Sequence, residues 1–124
     1  MHRFGELEAA IMDQVWSATE PLTVRVVVDA LQRDRSAAYT TVQTVMDILY
    51  RKGWLDRAKH GRAYRYSPTL SRDAYTAQLM DQALASSSDR GAALLRFVET
   101  MDSGEVDQLR DVIEQAKRHR DDTA

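Results

Sequence analysis

YTTVQTVMDILYRKGWLDRAKHGRAYRY, residues 39–66, is the stretch whose reading decides the fold. Its first half has helical spacing. From about Ala38 to Lys52, Val42, Val45 and Leu49 fall on one face, with Met46 and Ile48 at the margins. Gly53 then stops the helix as a left-handed cap. Beyond it, Trp54–Lys59 and Ala63–Tyr66 read as two short strands with His60-Gly61-Arg62 as the tip. Alternation puts Leu55, Arg57 and Lys59 on one side of the first strand, and Tyr64 and Tyr66 on one side of the second. Cations crowd this half: residues 50–66 hold Arg51, Lys52, Arg57, Lys59, Arg62 and Arg65 against one acid, Asp56. A short helix followed by a basic hairpin is the layout in which a winged helix-turn-helix domain meets DNA.

The outer face of that helix carries the chemistry. Thr40, Thr44, Asp47 and Arg51 form a stripe opposite the core, flanked by Gln43 and Tyr39. Threonine methyls suit thymine methyls, and glutamine suits adenine, in a major groove. The plainer reading is a solvated helix face. Threonine is a weak helix former, however, and three of them within a turn and a half need a reason. The hairpin has its own plain reading, ordinary solubilising charge, but its position directly after the polar helix favours contact with phosphates.

Upstream, Phe4, Leu7, Ile11 and Val15 make one face of a first helix, extended by Trp16 and ended by Pro21. Thr23 is placed to cap a short second helix with Val24, Val27, Val28 and Leu31 inward. The run Val26–Val28 also suits a strand. Asp29, Gln32 and Arg33 on the opposite side at helical spacing favour the helix. A polar loop, Asp34-Arg35-Ser36, follows. Pro68 closes this first unit, and Ser67 to Leu70 form a short linker. The expected domains are therefore 1–70, a winged-helix unit, and 71–124, a helical arm.

In the arm, Ser71 caps a fourth helix with Tyr75, Leu79, Met80 and Ala83 inward, and Ser86-Ser87-Ser88-Asp89 breaks it. Ala92, Leu94, Leu95 and Val98 mark a fifth helix, expected to be largely buried. Asp102 and Glu105 have capping-box spacing before a sixth. There Val106, Leu109, Ile113 and Ala116 form one stripe, and the polar end from His119 to Ala124 is expected to fray. Some 54 residues of short amphipathic helix bury little alone, so their stripes want a partner. A second copy of the chain is the economical one. It matches the two-fold symmetry with which paired reading helices meet a palindrome. Tyr75, Leu79, Leu94, Leu95, Val98, Val106, Leu109 and Ile113 are the candidate dimer residues. The plainer reading is a monomer with a folded-back tail.

Charge is uneven along the 124 residues. The net value is −2, yet residues 1–70 carry ten Lys/Arg and eight Asp/Glu, and residues 71–124 carry seven and eleven. The local field counts at a contact, because salt screens charges beyond about 10 Å. No cysteine is present, which excludes disulfides, thiolate metal sites and cysteine nucleophiles and fits a cytoplasmic protein. Aliphatic runs such as Val26–Val28 are far short of a membrane span. The opening MHRFGELEAAIM lacks the layout of a signal peptide. His2, His60 and His119 are scattered, and no nucleophile–base pair, metal spacing or cofactor site emerges, so an enzyme is disfavoured. A winged helix used only for protein contact would show an apolar outer face on the third helix. Here that face is Thr, Gln, Asp and Arg.

The runs ELEAAIMDQVW, AYTTVQTVMDILYRKGWLDR, HGRAYRYSP and LLRFVETMDSGEVDQLRDVI resemble the penicillinase-repressor (BlaI/MecI) family, from about Glu6 to Lys117. The resemblance implies a homodimeric, cytoplasmic transcriptional repressor, mainly α with a small β-hairpin. Its winged helix would bind palindromic operators of double-stranded DNA, and a C-terminal helical arm would dimerise. It implies control of β-lactam resistance or related genes, a membrane metallopeptidase sensor as partner, and inactivation by cleavage in the arm. By the same resemblance, base contacts fall on Thr40, Thr41, Gln43 and Thr44, and wing contacts on Lys59, His60 and Arg62. Tyr39 and Arg51 complete the expected DNA-facing set. Two departures stand out. Asp47 is an acid on the reading face, to be explained by a cytosine amine or by facing away from phosphate. Phe97 matches the phenylalanine of the staphylococcal cleavage bond, but Arg96 stands where those members have asparagine.

Overall fold

The computed structural model describes residues 4–33 and 37–123. The loop expected at Asp34-Arg35-Ser36 lies outside the described residues, as does His2. The elements run α1 (Glu6–Ser17), α2 (Val24–Leu31), α3 (Tyr39–Arg51), β1 (Leu55–His60), β2 (Ala63–Pro68), α4 (Arg72–Ala85), α5 (Arg90–Glu99) and α6 (Ser103–Thr123). Three helices then a hairpin is the winged-helix order, and the fold is mainly helical, as expected. No helix among the described residues is long and apolar enough to cross a membrane.

The core is largely where the periodicity put it, though Met12, on none of the expected stripes, joins it while Phe4, Leu7 and Trp16 are only partly buried. Ile11, Met12 and Val15 of α1, Val24, Val27, Val28 and Leu31 of α2, and Val42, Met46 and Leu49 of α3 are buried together with Leu55 and Tyr66. Met46, expected at the margin, is fully buried, and Val45, expected inside, is only partly covered. Val42, Met46 and Leu49 are spaced four and three apart, the tightest helical line, and Val45 sits to one side of it.

Caps fix the ends. The Thr23 hydroxyl accepts from the Val26 N–H at 3.3 Å and starts α2. At the end of α3 the Gly53 N–H donates to the Tyr50 carbonyl at 3.0 Å and the Trp54 N–H to the Leu49 carbonyl at 2.9 Å. Those two bonds form a Schellman cap, and Gly53 has the positive φ, 89°, that it requires. β1 and β2 pair antiparallel, with Arg57 opposite Tyr66, Lys59 opposite Tyr64 and His60 opposite Ala63. The turn is thus Gly61-Arg62 alone, with positive φ at Gly61 only, as a two-residue II′ hairpin needs. Leu22 adds a single-residue third rung, exchanging both backbone bonds with Tyr66 at 2.8 and 2.9 Å.

The chain separates into two compact units between Met80 and Asp81, not at residue 70. The reason is aromatic. Tyr75 stacks on Phe4 with ring centroids 4.7 Å apart and meets Trp16 at 5.3 Å and Trp54 at 5.4 Å. The expected linker is pinned as well: the Trp16 indole donates to the Leu70 carbonyl at 2.9 Å, and the Thr69 N–H to the Trp54 carbonyl at 3.1 Å. The first turns of α4 therefore belong to the winged unit. Tyr75 is buried there rather than offered to a partner. Leu79, also expected at the dimer face, lines a small cleft of about 220 Å³ with Phe4, Trp16 and Tyr75.

The second unit holds the rest of α4, α5 and α6. Ser71 caps α4 through the Ala74 N–H at 3.1 Å, and Asp89 caps α5 through the Ala92 N–H at 3.1 Å. The capping box opening α6 is complete: Asp102 Oδ1 accepts from the Glu105 N–H at 2.9 Å, and Glu105 Oε1 from the Asp102 N–H at 3.2 Å. α6 runs on to Thr123, so His119 to Thr123 are helical rather than frayed. Within one chain these apolar stripes are not covered. No residue of α5 is buried, with Leu95 62% and Phe97 51% exposed; in the first unit Met80, also expected inward, is exposed.

Candidate nucleic-acid interface

The outer face of α3 is open. Thr40, Thr41, Gln43 and Thr44 are exposed, and Tyr39 is partly covered, packed against the core with the Arg25 guanidinium 4.6 Å over its ring. Thr44 is less free than its exposure suggests: its hydroxyl donates to the Thr40 carbonyl at 2.9 Å, one turn back. Its methyl group and remaining lone pair are what it offers outward.

Between α3 and the wing runs a groove. One part, about 460 Å³, is lined by Thr23, Arg25, Tyr39, Gln43, Arg62 and Tyr64. The adjoining part, about 430 Å³, is lined by Gln43, Thr44, Asp47, Arg57, Tyr64 and Tyr66. Gln43 reaches both, which puts it at the centre of the face. Lys59, His60 and Arg62 stand exposed at the hairpin tip. Among the described residues Lys59, Arg62 and Arg65 make no ion pair. Uncommitted cations beside a row of hydroxyl and amide groups can hold phosphates while the helix meets base edges.

Asp47 accounts for the acid on this face. Its Oδ2 accepts from Arg51 Nε at 2.8 Å and its Oδ1 from Arg57 Nη1 at 2.9 Å. The Arg51 hydrogen bond, first, and then the Arg57 bond hold its carboxyl below the ordinary aspartate value against the opposing effect of desolvation. Arg57 sits between two rings, 4.0 Å from the Tyr50 centroid and 4.1 Å from that of Tyr64. Hydrogen bonding to Tyr66 and to Asp47 keeps its guanidinium firmly protonated. Sequence reasoning missed Arg57, Tyr50, Tyr64 and Arg25 at this face. The i, i+4 spacing of Asp47 and Arg51 is a legible signal. Asp47 and Arg57 meet only once the turn at Gly53 folds β1 back beside α3.

Of the residues expected to face DNA, Tyr39, Gln43, Thr44 and Arg62 meet at this groove; Thr40 and Thr41 on α3 and Lys59 and His60 at the hairpin tip are exposed outside its lining, and Arg51 is tethered to Asp47 rather than free. Of the expected dimer residues, Leu94, Leu95, Val98, Val106, Leu109 and Ile113 all lie in the second unit, and none of them is buried within one chain. No group of three or more residues suited to a metal ion occurs among the described residues.

Comparison with known proteins gives a consistent picture. A family model described as penicillinase repressor matches residues 4–115. A protein of Mycobacterium tuberculosis described as transcriptional regulator BlaI is 48% identical over 111 residues, covering 87% of this chain and 80% of that protein. The solved DNA-binding domain of the repressor BlaI is 25% identical, with a TM-score of 0.52, over 59% of this chain and 88% of that one. The monomeric form of Bacillus licheniformis BlaI, solved with the blaP half-operator, shares the fold at 24% identity and a TM-score of 0.50, over 60% and 89% of the two chains.

Proposed function

The chain belongs to the penicillinase repressor family, and from that premise we propose that it is a transcriptional repressor that binds operator DNA as a homodimer. The observation that carries the reading is the groove between α3 and the wing. There Gln43 lies at the junction of the two parts, and Arg62 lines one side. Gln43 and the methyl of Thr44 read base edges in the major groove; Lys59, His60 and Arg62 hold the backbone and set the register. Neither step needs a metal ion, a cofactor or a bond broken in the DNA, so the function is binding and not catalysis.

The second unit supports pairing of two copies. Leu94, Leu95, Phe97, Val112 and Ile113 are too many exposed apolar side chains for one small helical unit in water. Pairing with a second chain covers them and presents two reading helices to a palindrome. Family membership extends the proposal to a cytoplasmic regulator of β-lactam-resistance or related genes, answering to a membrane metallopeptidase.

The test is a gel shift and footprint on duplex DNA from upstream of the protein's own coding region, repeated over a salt series. A protected palindrome whose affinity falls steeply with ionic strength is the expected result. Binding that ignores salt, or no protection at all, would point to a protein partner instead.

A further inference from the structure

We propose that Asp47 is a specificity-determining residue: through Arg51 and Arg57 it weakens the hold on random DNA while fixing the wing for the operator. The inference rests on the DNA-binding reading above. It starts from the use of both carboxylate oxygens. One takes Arg51 from the same helix, and the other takes Arg57 from β1. Asp47 is therefore a bracket between reading helix and wing as well as a charge.

The two arginines differ. The Arg57 side chain is only 20% exposed, held between the rings of Tyr50 and Tyr64. It stays in place as the wing's anchor. The Arg51 side chain is 74% exposed, at the C-terminal end of α3, with little but Asp47 to hold it. It is the cation that a phosphate would recruit.

Two kinds of binding ask different things of this face. Random DNA is held by charge, so each cation engaged adds to it and each acid subtracts. An operator needs α3 and wing in one register, because base contacts are made only when both dock together. Asp47 opposes the first and supports the second. The rival role is a cytosine amine as donor to its carboxylate. Two guanidinium bonds at 2.8 and 2.9 Å already orient both oxygens within the protein, which argues against it.

The experiment uses full-length protein and fluorescence anisotropy. The probes are the duplex that the wild-type protein selects from a random pool and a scrambled duplex of the same composition, each over a salt series. For Asp47→Asn the scrambled duplex is bound about three- to tenfold more tightly at low salt, and the log–log salt slope steepens by about 0.9, one further phosphate. The selected duplex is bound no more tightly, so discrimination falls. Arg57→Gln removes the bracket without adding charge: the selected duplex is bound more weakly and the scrambled one no more tightly. Thermal unfolding of each variant shows that both are folded when assayed. Unchanged affinity of Asp47→Asn for the scrambled duplex overturns the proposal. So does a loss confined to one G·C pair of the selected duplex, which would make Asp47 a base reader. Absence of salt-dependent binding by the wild-type protein is a separate result, visible without any variant; it would overturn the functional reading and this inference with it.

Discussion

Thr44 spends its hydroxyl proton on the Thr40 carbonyl, so the side chain meets the outside chiefly as a methyl group. If that methyl touches a thymine, Thr44→Val keeps operator affinity. Thr44→Ser, which keeps the hydroxyl and drops the methyl, loses about 1 kcal/mol, the worth of one buried carbon. The reverse order in a titration would make the hydroxyl the contact. Gln43, at the junction of the two parts of the groove, is the better candidate for a two-pronged reading. Gln43→Ala is expected to cost about 1–3 kcal/mol on the operator and to relax preference at one position. Arg62→Ala at the hairpin tip differs in kind: it weakens every duplex alike and makes the salt slope shallower by about 0.9. Anisotropy on operator and scrambled DNA separates the two. Equal losses on both probes for Gln43→Ala would remove it from the reading face.

Among the elements, the junction of α3 and β1 matters most, because it aims the wing. Gly53 holds φ at 89°, and a Cβ there would meet nothing within 4 Å. The cost of Gly53→Ala is thus conformational and not steric, about 1–2 kcal/mol, read as a lower unfolding midpoint with DNA specificity retained. The Asp47 bracket across the same junction has a definite pH range. Its folded pKa is depressed, first by Arg51, so its contribution is complete above the ordinary carboxylate value and is lost only in acid, as pH falls through the folded value. Between pH 5 and 8 the bracket does not titrate. What was legible in the sequence was local. Thr23 before an apolar run, Gly53 after one, and Asp102 three residues before Glu105 each act on backbone groups within a turn, and each cap formed. Asp47 with Arg57, ten residues apart across a turn, was not legible, because the register of β1 against α3 decides it.

At the scale of the molecule the sequence was least informative about burial. Periodicity in α4 and α5 announced apolar faces correctly but could not say what covers them. Tyr75 turned out to complete an aromatic cluster with Phe4, Trp16 and Trp54, far away in the chain, while Leu94 and Leu95 stay exposed in a single copy. Under the dimer proposal, Leu109→Asp on α6 places an unpaired charge in the interface at a cost of several kcal/mol. Sedimentation should then show monomers at micromolar concentration, with the winged unit still folded and operator affinity down by about 10²–10⁴ as avidity is lost. A variant that remains dimeric puts the interface elsewhere. The aromatic cluster has one more consequence. Trp16 and Trp54 are the only tryptophans in the chain, and both touch Tyr75. Intrinsic emission excited at the indole band therefore reports a single locality, the seat of the first turns of α4. A red shift that precedes loss of helical ellipticity on heating would mark α4 lifting from that seat first, without any label attached.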